Sequence, residues 1–159
     1  MRIRHVEQAE IPQLFALLQA KAAFDGCPES LRATAGTLHD AIFAERPLAQ
    51  ALVAEIDGRL VGMATYYSIF SSFIAKPGLW LDDLYVYQEY RSQNIGRRLM
   101  ERLCRIARDN GCGRVDWHVS SFNERGIKFY RSIGATVCEK ARLVRLGESA
   151  IRELAQGPA

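Results

Sequence analysis

No stretch of apolar residues in this 159-residue chain approaches the length of a membrane span. Its opening, MRIRHVEQAEIPQL, lacks the apolar core of a secretory signal, so the expectation is a cytoplasmic protein with no membrane partner. The four cysteines, Cys27, Cys104, Cys112 and Cys138, form no CxxC pair and match no zinc spacing, which points to reduced, packed thiols. The three histidines, His5, His39 and His118, are scattered and supply no i,i+4 pair, so no metal is expected. The patterns GxGxxG and GxxxxGK[ST] are both absent, and with them the support for dinucleotide or P-loop nucleotide binding. A net charge of +3 is too small to imply nucleic acid, and the arginine-rich segment has no interleaved exposed aromatics.

What remains is an ordinary globular composition, 48% hydrophobic and 25% charged, consistent with a single domain over residues 1–159. IRHV reads as a first strand. Ile11, Leu14, Phe15, Leu17 and Leu18 recur at helical spacing between Ala9 and Phe24, with Pro12 tolerated in the first turn. A second helix is predicted over Thr34–Ala44. Two β-rich runs then flank Asp57-Gly58, a favoured two-residue hairpin turn. LWLDDLYV is a further strand, preceded by the loop SSFIAKPG. Ile95 to Asn110 carries one apolar stripe, with Gly111 where a C-terminal cap belongs. RVDWHV reads as a strand and Asn123–Ser132 as a short helix. ATVCEK and RLVRL read as two closing strands, and Ile151–Ala155 as a last helical turn. The order implies an α/β (α+β) fold around one mixed central sheet of about six to seven strands, flanked by helices.

The segment YRSQNIGRRL, residues 90–99, places Arg97 and Arg98 in the first turn of a helix, where the backbone already carries partial positive charge. A strand, a short polar loop and a helix N-terminus together aim amide N–H groups at one spot. An anion such as a phosphate would turn Arg91, Arg97 and Arg98 from a liability into ligands. Arg102, Arg105 and Arg108 read instead as a solvated basic face.

These residues resemble the GNAT N-acetyltransferases, whose R/Q-x-x-G-x-G/A loop binds the pyrophosphate of coenzyme A. Arg91, Ser92, Gln93, Asn94, Ile95 and Gly96 occupy that pattern here. Asn94 stands where the first glycine is expected, and Asn is the side-chain-bearing residue most at ease with positive φ. FNERGIKFYRSIGA is similar to the family's N-x-x-A/S-x-x-F-Y-x-x-x-G, with Gly126 at the small-residue position. LVAE (52–55), ATYY (64–67), LDDLYV (81–86) and EYRSQNIG (89–96) bring the chain nearest to the spermidine/spermine (diamine, thialysine) acetyltransferase branch.

The resemblance implies acetyl-CoA as co-substrate and a splayed parallel strand pair, LYV and WHV. The thioester would lie along Leu84, Tyr85 and Val86, its carbonyl on the backbone N–H of Leu84 or Val86. Arg91 to Arg98 would hold the pyrophosphate and Asn123 the coenzyme arm. Tyr130 would protonate the departing thiolate, a phenol's ordinary pKa lying above a thiol's. Asp82 would bind or deprotonate the amine, and Phe24 and Asp25 would lie near it. Asp82 and Asp83 are consecutive on a strand and so are expected to point to opposite faces, one of them into the cleft.

Asp82 replaces the branch's glutamate, and the branch's Glu-Gly-Trp is missing around Cys138–Arg142. A long polyamine and a smaller acceptor, such as a diamine or an amino-acid side chain, both stay open as the small-molecule amine partner. The resemblance also implies a homodimer. The competing reading is a catalytically weak acyl-CoA-binding sensor or interaction module on the same fold.

Overall fold

The computed structural model describes residues 1–157. Among these, five strands form one mixed sheet in chain order: β1 (Arg2–His5), β2 (Gln50–Ile56), β3 (Arg59–Ser71), β4 (Lys76–Val86) and β5 (Val115–Asp116). The first three junctions are antiparallel and β4–β5 is parallel. The helices are α1 (Ile11–Phe24), α2 (Ala35–Phe43), α3 (Ile95–Asp109), α4 (Glu124–Ser132) and α5 (Glu148–Ala155). The chain groups into two compact units, Met1–His118 and the residues from Val119 onward. The sheet and α1–α3 belong to the first unit, α4 and α5 to the second. Among the described residues no helix is long and apolar enough to cross a membrane.

β2 is buried along Ala51–Ala54, so both faces of the sheet are covered. Ala51 and Val53 pack with Leu14 and Leu17 of α1 and Ile42 of α2. Leu52 and Ala54 alternate to the opposite face, which the α3 stripe of Ile95, Leu99, Leu103 and Ala107 covers. Each fully buried leucine in this sandwich contributes roughly 1.5–3 kcal/mol of transfer free energy. The β2–β3 turn is the predicted one, with Asp57 at φ 48° and Gly58 at φ 79°. Gly62 of β3 allows a close approach: a Cβ there would lie 3.0 Å from the Tyr85 carbonyl oxygen and 3.4 Å from Ile95 Cγ2.

Two features depart from the sequence reading. The sheet has five strands rather than six or seven, because 135–147, including ATVCEK and RLVRL, adopt no strand. Alternation in RLVRL signals only that a strand would suit the segment; a ladder is needed to make one. Leu143, Val144 and Leu146 lie exposed. RVDWHV likewise pairs only through Val115 and Asp116, opposite Leu79 and Trp80, so WHV lies beyond the strand.

Candidate active site

β4 changes its hydrogen-bonding direction at Asp82. Thr65 is opposite Asp83, but Tyr66 is opposite Leu81, which leaves Asp82 as the extra residue of a β-bulge. On the far side, Leu79 N–H bonds Arg114 of the β5 side at 3.1 Å. On the near side, Tyr87 N–H bonds Val61 of the β3 side at 3.0 Å. Antiparallel alternation then turns Tyr85 and Asp83 toward β3, and directs the N–H groups of Leu84 and Val86 away from it. The β4–β5 ladder ends at Trp80–Asp116, so these two amides lie on an edge past the parallel pairing. The same register shift interrupts the strict alternation expected of Asp82 and Asp83.

The two carboxylates are treated differently by their surroundings. Asp83 accepts a hydrogen bond from Thr65 Oγ1 at 2.8 Å and pairs with Lys21 Nζ at 3.1 Å. Lys21, one turn before the end of α1, also pairs with Asp25 at 2.5 Å. Asp82 is exposed at the bulge, yet protein packed around its carboxyl raises its proton affinity above the ordinary carboxylate range, and Asp83 adds to this. The Trp80 indole N–H, Lys21 and His118 oppose the rise. Tyr67 stacks beside Trp80 at 6.4 Å, and burial together with the charge of Asp82 raises its phenol pKa. Trp80 and His118 meet edge-on at 4.6 Å.

From Val86 the chain passes through a 3-10 turn at Gln88–Tyr90 into the loop and α3. Ser92 (φ 66°) and Asn94 (φ 61°) both adopt left-handed backbone. Asn94 caps α3 through its backbone: the first helical bond is Arg98 N–H to the Asn94 carbonyl at 3.0 Å. The preceding amides of Ile95 and Gly96 therefore point out of the helix end, the geometry that suits a phosphate oxygen. Arg97, Arg98 and Gln93 lie exposed around this end.

Arg91 is held inward. Its Nε donates to the Val86 carbonyl at 3.0 Å, and its guanidinium lies 4.5 Å over the Phe24 ring and 5.4 Å from that of Tyr85. Phe24, Asp25, Asp82, Asp83, Tyr85, Val86 and the loop are thus gathered at one end of the first unit.

In the second unit, Asn123 caps α4: its Oδ1 accepts from Gly126 N–H at 2.8 Å. A Cβ on Gly126 would lie 2.7 Å from Asn123 Nδ2, which explains the small residue. Tyr130 lies two turns along α4, half-buried, its ring 5.3 Å from that of Phe129. Sequence reasoning missed Lys21, Thr65 and Trp80. The Lys21–Asp25 spacing of four is a local signal on a helix, whereas the partnership with Asp83 spans 62 positions and leaves no local trace.

The acetyltransferase (GNAT) family matches residues 13–135, and the chain belongs to it. It is an acetyltransferase. The chain is 33% identical over 141 residues to human (Homo sapiens) spermidine/spermine N(1)-acetyltransferase-like protein 1, which covers 84% of this chain but only 20% of that longer protein. It is 27% identical over 164 residues to the thialysine N-epsilon-acetyltransferase of Sus scrofa, covering 96% of each. An integron cassette protein from the mobile metagenome of V. cholerae has the same fold, with TM-score 0.79, 25% identity and 98% coverage of both chains.

Proposed function

We propose that the chain acts as one acetyltransferase domain that moves the acetyl group of acetyl-CoA directly to a primary amine of a small molecule, both bound together. The observation that carries this is the bulge at Asp82. It sets a carboxylate of raised proton affinity near two outward-facing β4 amides, and the strand then runs into a loop and a helix end whose outward amides suit a phosphate.

Acetyl-CoA supplies an activated acyl carbon and a thiolate leaving group. Asp82 attracts the ammonium form of the acceptor and takes its proton, directly or through water, so that a neutral amine faces the acyl carbon. The N–H groups of Leu84 and Val86 face the acyl oxygen, where negative charge grows during attack. The amides of Ile95 and Gly96, with Arg97 and Arg98 beside them, hold the pyrophosphate. Arg91 braces the loop against β4 and α1. The family pattern assigns Asn123 to the coenzyme arm and Tyr130 to the proton that the departing sulfur needs. The names of the human and pig relatives, one for a polyamine and one for a side-chain amine, support a small amine acceptor. Resemblance to that branch also supports a homodimer, which sedimentation velocity tests.

The test is thiol release from acetyl-CoA across a panel of amines, with the acetylated product identified by mass spectrometry. Steady turnover with at least one amine is expected. Coenzyme binding by calorimetry without turnover on any amine class would favour a binding module instead, and absence of coenzyme binding would overturn both.

A further inference from the structure

The acceptor end of the first unit contains its own ammonium group. Lys21 Nζ lies between Asp25 at 2.5 Å and Asp83 at 3.1 Å, and Thr65 Oγ1 fixes the other Asp83 oxygen at 2.8 Å. The Lys21 side chain is four-fifths covered, and that of Asp83 slightly more so. Burial alone would lower the lysine's proton affinity, but the two aspartates outweigh it and hold the group charged. Its charge is felt at Asp82 as well. A second cation, the Arg91 guanidinium, lies over Phe24 at the end of the same helix. Lys21 is therefore shared by two carboxylates, Asp25 and Asp83, and Asp82 carries a third beside them. Asp82 lies outside that ion pair, where the base is needed.

We propose that Lys21 is a specificity-determining residue that selects acceptors carrying a single positive charge and disfavours long polyamines. The inference rests on the acetyltransferase reading above and narrows its substrate class. A polyamine binds through several ammonium groups, each wanting its own carboxylate. Here Asp25 and Asp83 already share Lys21, so a second substrate ammonium would have to displace Lys21 or sit beside it. Either costs affinity, since like charges at close range repel and a displaced lysine is desolvated without its partners. A singly charged amine needs only Asp82.

The test uses a matched series: 1,4-diaminobutane with one end acetylated (one charge), the free diamine (two) and spermine (four). For the unaltered protein, kcat/KM is expected to fall as charge increases. Lys21→Met should shift the preference toward spermine by about tenfold, about 1.4 kcal/mol, carried in KM rather than kcat. Lys21→Arg should keep the original order, a rescue that a purely structural role for the methylene stem would not require. Calorimetry of spermine without acetyl-CoA gives a readout independent of turnover, and binding should tighten in Lys21→Met.

A kcat/KM that stays level or rises with charge in the unaltered protein would overturn the proposal without needing any variant to fold. So would an unchanged preference in a folded Lys21→Met protein. Coenzyme binding with no turnover on any of the three amines or the wider panel would remove the acetyltransferase reading and this inference with it. Turnover with the wrong charge preference removes the inference alone.

Discussion

Asp82 and Asp83 are chemically identical neighbours that the fold separates into two roles. Asp83 is saturated by Lys21 and Thr65, so its charge is spent on holding α1 to β4. Asp82 is set out by the bulge, and burial plus its neighbour's charge raise its proton affinity. The active form of a base is the deprotonated one. Activity should accordingly fall as pH drops through the Asp82 pKa, with an acidic limb lying above the ordinary carboxylate range. Asp82→Asn should lower kcat/KM by about 10²-fold or more and abolish that limb in a pH–rate profile. Tyr130→Phe makes a different prediction: coenzyme affinity by calorimetry should stay near its original value, while kcat falls by about 10²-fold. A near-normal kcat would remove Tyr130 from the role of acid. The family resemblance singled out Asp82 over Asp83, but the physical cause of their difference was not legible in the sequence, because a bulge is a property of a strand pair and Lys21 reaches Asp83 only after α1 has packed on the sheet.

Elements with strong local chemistry behaved as read. The Asp57-Gly58 turn, the α3 stripe and the positive φ of Gly111 behind it follow from residues within a few positions of one another. The closing segment did not, since its alternation was local and its ladder would have had to come from elsewhere. The loop before α3 was legible down to Asn94, whose left-handed φ of 61° fits the expected tolerance. Ser92, left-handed as well, carried no such signal. Asn94→Ala should destabilise the protein by about 1 kcal/mol and weaken coenzyme binding, whereas Asn94→Gly should leave both close to normal in thermal melts and calorimetry. On the β1 edge of the sheet, Arg4 joins β1, the entry to α1 and β2, bonding Glu10 at 2.6 and 2.7 Å and Glu55 at 2.7 and 2.9 Å. The Arg4 hydrogen bonds hold the Glu10 carboxyl below its usual pKa. A depressed carboxylate stabilises the fold above its unfolded pKa and loses that stabilisation as pH falls through the folded one. Glu10→Gln should thus cost about 2 kcal/mol at neutral pH by denaturant melts, and the deficit should shrink on acidification through and below the ordinary carboxylate range.

Across the first unit as a whole, the bulge of β4 at Asp82 and the start of α3 at Ile95 are 13 positions apart in the chain, with one side chain touching both neighbourhoods. Arg91 bonds the last carbonyl of β4, leads into the loop, and lies on the ring that ends α1. An amine and a coenzyme bound against this common brace are expected to be coupled, and reciprocity requires that whatever factor one applies to the other's binding be returned. The expected signature is synergy between amine and coenzyme in the ternary complex. Phe24→Ala, a change on the amine side, should weaken that synergy and raise KM for acetyl-CoA several-fold in two-substrate kinetics, so that a ring at the end of one helix governs the grip of another.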